Sequence, residues 1–357
     1  MALDRDKGPR QAGGLLRRKA VAISDVARRA GVSPTTVSHV LSGRRCVSPR
    51  LTAAVQQAVR ELEYVPNHYA TGLRTGATKT LGLLVADIAH EFDAQLARGA
   101  EDAAEESGYS LIICSSGYRE QRETRYLTLL AAGCVDGLLY VAGAPPNIDK
   151  LLSVSAKLPL VVVDEELPGL STTFVTCDNF QGGRLIGEHL RNLGHRRILY
   201  VGGPPTLLTV QQRLSGLRSA FLAGEAEIDV QFGDYGQERA TKILSQQLDA
   251  PAFFTAIVAA NDLIAMGSYA ALRDHGLRVP EDVSVVGFDD IALSRYQFPP
   301  LTTVRQPVHQ LGYIGAQHLL AALRANVDPP FQRVTLPVTL AVRESTGPPR
   351  ASAATQQ

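Results

Sequence analysis

No apolar run in the chain approaches the roughly 20 residues that a membrane-spanning helix needs. The opening stretch, MALDRDKGPRQAGGLLRRKA, is polar and basic and lacks the apolar centre of a secretory signal, so a cytoplasmic protein is expected. Cysteine is scarce. Cys46, Cys114, Cys134 and Cys177 show no metal-ligand spacing and read as buried thiols. There is no G-x-S-x-G elbow, no phosphate loop of the GKS type and no metal-ligand cluster. Carboxylates are plentiful, but nothing pairs them with a nucleophile or base. Neither an enzyme nor a cofactor is expected.

What the chain does contain is a charge asymmetry. Over 357 residues the net charge is +1, yet residues 1–80 carry 14 Lys/Arg against 5 Asp/Glu, a net of +9. The remainder carries 22 against 30, a net of −8. A basic head on an acidic body suggests that the head meets a polyanion. Hydrophobic residues at 45% and charged residues at 20% indicate a globular chain, long enough for a small domain and one or two larger ones.

Ile23 to Gly43, ISDVARRAGVSPTTVSHVLSG, reads as two short helices joined by a tight turn. Ile23, Val26, Ala27 and Ala30 recur at helical spacing. Gly31 follows where a helix must stop. Ser33 can cap the next helix and Pro34 fits its first position. Val37, Val40 and Leu41 form a second apolar stripe, leaving Thr35, Thr36, Ser38 and His39 to point outward, a face suited to the DNA major groove. Ser48 and Pro49 repeat the cap signal before a third helix with an apolar face of Leu51, Val55, Ala58, Val59 and Leu62. Arg44, Arg45 and Arg50 are available to backbone phosphates. Ser24, near the start of the first helix, is grouped with the DNA-facing residues.

Tyr64 to Gly76 reads as a hinge. Pro66 ends the third helix and Asn67 can cap the next segment. Asn67 to Arg74 is about two turns, too short to be stable alone. From Lys79 onward short β-branched runs, TLGLLVAD, YSLIIC, GLLYVAG, LPLVVVD, RRILYVGG, FTAIVAA and VSVVGFDD, alternate with helical stretches. That pattern predicts parallel sheets covered on both faces. In such sheets ligands bind beyond the carboxyl ends of the strands. Those ends carry Asp87, Ser115–Ser116, Asp164–Glu165, Asn261–Asp262 and Asp289–Asp290. Asp262 and Asp290 are expected to be structural.

The string DVARRAGVSPTTVSHVLSG closely resembles the DNA-binding head of the lactose-repressor (LacI/GalR) family of bacterial transcription regulators. The resemblance continues through YVPNHYATGLRTG to about Glu344. It implies a small all-α helix-turn-helix DNA-binding head (21–65) after a disordered tail (1–20). A hinge (66–77) and an α/β core of two parallel-sheet lobes, like type I periplasmic binding proteins (78–345), follow. A tail (346–357) closes the chain. The N-lobe is expected at about 78–177 and 308–333, and the C-lobe at about 178–306 and 334–345, with crossovers near Thr176–Asn179, Arg305–Val308 and Gln332–Leu336.

By the same resemblance, Leu73 matches a minor-groove wedge, with Arg74 beside it, and Pro34 and Thr35 lie where family members read bases. Arg213, Asn261, Asp289 and Gln306 match effector contacts, and Tyr235 and Phe92 match aromatic walls. Two departures stand out. His39 replaces a common arginine. HEFD (His90 to Asp93) replaces a common NPFF, so Glu91 and Asp93 either face solvent or meet a ligand with amino or many hydroxyl groups. The expected function is a repressor controlled by a small polar effector, a sugar or relative, and bound as a homodimer to a pseudo-palindromic DNA operator. No heptad helix follows Glu344, so a dimer rather than a tetramer is expected. A solute-binding protein serving a transporter is the alternative, which the basic head disfavours.

Overall fold

The computed structural model describes residues 21–42, 45–64, 77–143, 145–249 and 254–350. Arg44, Asn67, Leu73, Arg74, most of the hinge and both terminal tails (1–20 and 351–357) lie outside them. The chain divides into two units, 1–75 and 76–357.

In the first unit three helices, α1 (Ile23–Ala30), α2 (Pro34–Ser42) and α3 (Pro49–Glu61), close on Val26, Ala27, Val37, Val55 and Ala58. α1 ends at Gly31, which adopts φ 66° and turns the chain toward α2. Ser33 Oγ accepts from Thr36 N at 3.1 Å and so caps α2. Arg29 pairs with Glu61 at 2.5 Å and ties α1 to α3. Three expectations need correction. Ser48 makes no side-chain cap bond, although Pro49 does open α3. Leu41 and Leu51 are 38% and 39% exposed, because a core closed by three such short helices has room for only one narrow stripe from each.

The second unit carries two six-stranded sheets. The first has the order β11-β5-β4-β3-β1-β2, with β1 (Thr80–Val85), β2 (Ser110–Ser115), β3 (Gly137–Val141), β4 (Leu160–Val163), β5 (Thr173–Cys177) and β11 (Gln332–Leu336) all parallel. The second has the order β12-β10-β9-β8-β6-β7. It uses β6 (Arg197–Gly202), β7 (Glu227–Phe232), β8 (Ala256–Ala259), β9 (Ser284–Asp289), β10 (Thr302–Arg305) and an antiparallel edge, β12 (Thr339–Ala341). Helices α4 (Glu91–Glu106), α5 (Glu120–Leu129), α6 (Ile148–Ser155) and α11 (Val308–Ala325) belong with the first sheet. Helices α7 (Asn179–Leu193), α8 (Leu208–Ser219), α9 (Gln237–Leu248) and α10 (Asp262–Asp274) belong with the second. The central strands are buried on both faces, as continuous apolar runs require.

The chain passes between sheets after β5, after β10 and after β11. The third passage was expected near Gln332–Leu336; that segment pairs wholly with β5, so the chain leaves the first sheet just after Leu336, and the lobe boundary expected after 333 falls too early. The expected tail also begins too early. Thr346 bonds to His189, Gly347 to His195 and Ser284, and Arg350 to Asp282, which fastens the chain to the second sheet as far as Arg350. Of the cysteines, only Cys114 and Cys177 are buried; Cys46 is exposed and Cys134 half-buried. Among the described residues no helix is long and apolar enough to cross a membrane.

Candidate effector cleft and nucleic-acid face

The carboxyl ends of the central strands of both sheets open on one cleft lined from both lobes. Small-molecule sites occur at such places. Glu91, Phe92, Asp93 and Asp164 come from the first lobe, and Arg213, Tyr235, Asn261 and Asp289 from the second. Asp164 follows β4 and Asp289 ends β9, at φ 72° and 115°. Such values are uncommon outside glycine, and strain of this kind gathers at functional sites.

Arg213 is 5% exposed. Its Nε donates to Asn179 Oδ1 at 2.8 Å, one terminal nitrogen donates to the Ala260 carbonyl at 2.5 Å, and the guanidinium lies 3.8 Å from the centre of the Phe288 ring. A close helix crossing places it. A Cβ added at Gly183 of α7 would lie 2.0 Å from the Arg213 carbonyl oxygen, so only glycine admits α8 at this distance. Asn179 sits at the first passage between lobes and also donates to the Cys177 carbonyl.

Gln306 was expected to touch the ligand. It does not line the cleft but stands behind it, at the second passage, and its Nε2 donates to Asp289 Oδ1 at 2.7 Å. Asp87 is also absent from the cleft wall. Its Oδ1 accepts from Ala89 N at 3.1 Å, which closes the turn before α4. Asn261 does line the cleft, but its amide caps α10 through Ile264 N at 2.8 Å and reaches the Tyr235 carbonyl at 3.3 Å. The expected structural roles of Asp262 and Asp290 are visible. Asp262 accepts from Thr303 and Ile291 N, and Asp290 binds Arg305 and Arg343.

Of the two carboxylates that replace the usual apolar rim, Asp93 is 4% exposed and faces inward, accepting from Asp87 N at 2.9 Å. Burial, then the neighbouring carboxylates, push its carboxyl up to about 7. Glu91 takes neither expected role in full. Its Oε1 accepts from Gln95 and, across the cleft, from Ala292 N at 2.8 Å. A second carboxylate spans the lobes: Glu165, 1% exposed, accepts from Thr209 Oγ1 at 2.9 Å, and burial pushes it up to about 7. His90 and Tyr118, joined Nδ1 to Oη at 3.0 Å, complete the wall with Leu263 and Ile291. Tyr118 was missed in the sequence. It follows the Ser115–Ser116 strand end by two residues, and that proximity was the only signal.

In the first unit, Ser24, Ser33, Pro34 and Thr35 are exposed, while Thr36, Ser38 and His39 are half-buried. Arg45 and Arg50 are exposed at the start of the loop and of α3. α2 therefore offers a small, polar amino-terminal end over an apolar back, a form that enters a major groove.

Comparison with known proteins agrees with both halves. The family of bacterial regulatory proteins of the lacI type matches residues 22–67, and the periplasmic binding protein-like domain matches residues 188–346. The chain is 34% identical over 339 residues to the HTH-type transcriptional regulator DegA of Bacillus subtilis, covering 91% of this chain and 98% of that protein. Among solved structures, the Lac repressor dimer bound to operator and the anti-inducer ONPF superposes with a TM-score of 0.80 at 28% identity, over 92% of this chain and 100% of that one. The transcriptional regulator CelR in complex with cellobiose superposes with a TM-score of 0.68 at 33% identity, over 91% and 99%. These relatives are transcription regulators and not enzymes. A three-helix reading head and a two-lobed cleft on one chain, with likeness along nearly its whole length, establish that this protein belongs to the lacI family of bacterial regulatory proteins.

Proposed function

We propose that the chain is a cytoplasmic repressor that binds a pseudo-palindromic DNA operator as a homodimer, and that a small polar effector in the cleft changes its operator affinity. The cleft carries this reading. One guanidinium and four carboxylates line a solvent-open space where the two lobes meet, and carboxylates from one lobe already bond the other. A ligand touching both lobes favours one lobe arrangement over another, and differential affinity of that kind is all that control requires. Leu293, Tyr296 and Phe298, 53%, 81% and 96% exposed on one short segment, form an apolar patch that a second copy would cover.

The test is a duplex selected from genomic fragments, read by fluorescence anisotropy with and without sugars. Thr35→Ala should narrow the gap between the selected duplex and single mismatches, by about 1–3 kcal/mol at the affected base pair. Arg45→Ala should weaken both alike and lower the salt slope by about one. The opposite pattern would reject the assignment of readers and anchors, and a protein bound by no duplex at low salt would reject the function.

A further inference from the structure

We infer that the effector is a hydroxylated amine, such as an amino sugar or aminopolyol, whose ammonium sits among Asp93, Asp164 and Asp289. This rests on the cleft reading above and narrows it. The three carboxylates meet one guanidinium, and the two donors that Arg213 has engaged go to an amide and a backbone carbonyl. His90, the other basic group on the wall, is bonded to Tyr118 and lies 4.0 Å from Asp87.

The acids are short of donors. Asp164 Oδ1 is sealed from solvent and accepts no hydrogen bond among the described residues. Asp93 uses one oxygen on Asp87 N, and Asp289 one oxygen on Gln306. Buried acceptors without donors cost free energy, and buried like charges repel. Asp93 and Asp289 are both pushed up, by burial first and by Asp164 among the neighbours. An ammonium brings three donors and one positive charge, which answers both deficits. A neutral sugar brings donors alone. Phe92 and Tyr235 line the same cleft, and aromatic rings favour a cation placed over them.

The experiment is calorimetric titration of the full chain with matched pairs: D-glucosamine against D-glucose, D-galactosamine against D-galactose, and 1-amino-1-deoxysorbitol against sorbitol. At least one amine should bind at least about tenfold tighter than its neutral partner, a difference of about 1.4 kcal/mol. Asp164→Asn and Asp93→Asn should each erase most of that preference. The pairs on the unmodified protein stand even if a variant fails to fold. A neutral member that outbinds its amine, or an amine preference that survives both substitutions, overturns the inference. So does a set in which no amine binds at millimolar concentration. A neutral sugar that binds and shifts operator affinity would leave the cleft reading intact while removing the ammonium. A ligand whose binding ignores Arg213→Ala would remove the cleft reading itself.

Discussion

The two lobes of the core share a plan and differ in how finished their cleft faces are. Each is a six-stranded sheet, and each packs one helix pair through a glycine. A Cβ at Gly99 would lie 1.9 Å from the His309 carbonyl in the first lobe, as one at Gly183 would lie 2.0 Å from that of Arg213 in the second. Yet the second lobe holds its cleft residues from behind. Asn179 grips Arg213, Gln306 grips Asp289, and Asn261 is locked as a helix cap. In the first lobe Asp164 Oδ1 has no donor among the described residues; in the second the one such atom, Gln306 Oε1, stands behind the cleft. The second face is held by its own side chains, and the first keeps an acceptor for a ligand. Moreover, both gripping residues stand at passages between lobes, so occupancy of the cleft bears directly on the segments that must flex when the lobes move.

The contrast can be broken from either side. Arg213→Ala removes the central cation of the preorganised face, and charged hydrogen bonds contribute about 1.5–3 kcal/mol each. Effector affinity should fall roughly 100-fold, and operator binding should stop responding to ligand. A normal response in anisotropy would take Arg213 out of the pocket. Gln306→Ala is the subtler cut, because it touches no ligand. It frees Asp289 and should weaken effector binding about tenfold, a loss that Gln306→Glu should not rescue because it sets a third carboxylate against Asp289 and Asp164. If Gln306→Ala binds normally, Asp289 holds its place without help.

The smallest effect is on the unfinished face. A carboxyl raised from 3.8 to about 7 by burial binds a proton in the native state that the unfolded chain has already lost. Asp93 therefore contributes stability that is present below about pH 4 and lost as pH rises to about 7. Asp93→Asn has no such proton to lose. Its melting midpoint should drop less than that of the unmodified protein between about pH 5 and pH 8, by a few degrees. Parallel curves would mean that Asp93 is not desolvated.

Much of this was legible before any coordinates. The seven apolar runs are all strands. Six are central, and a strand covered on both faces has to be apolar throughout; the seventh, β2, is a half-exposed edge with an apolar sequence. Five further strands escaped that reading. β7, EIDVQF, is an edge with alternating exposure, and β11 and β12 are half-exposed edges, so none offers a continuous apolar signal. β10 and β5 are buried but rich in threonine, whose hydroxyls find buried acceptors, Thr176 on the Asp164 carbonyl and Thr303 on Asp262.

The site divides along the same line. Residue type and position at a strand end sufficed to place Asp164 and Asp289 at the edge where the cleft opens, because a parallel sheet delivers its strand ends to one edge whatever the details. Local order likewise dictated the reading head, whose Gly31 turn and Ser33 cap are contacts between near neighbours. Which side chain finally faces the cleft was another matter. Gln306 lies behind Asp289, 17 positions away, Glu91 reaches Ala292 across 201, and Tyr118 joins His90 across 28. Glu91–Ala292 forms only once the two lobes meet, and the other two only once strand ends distant in sequence lie side by side, since a polar group settles on the nearest partner in space, and nothing in the order of residues says which partner that will be.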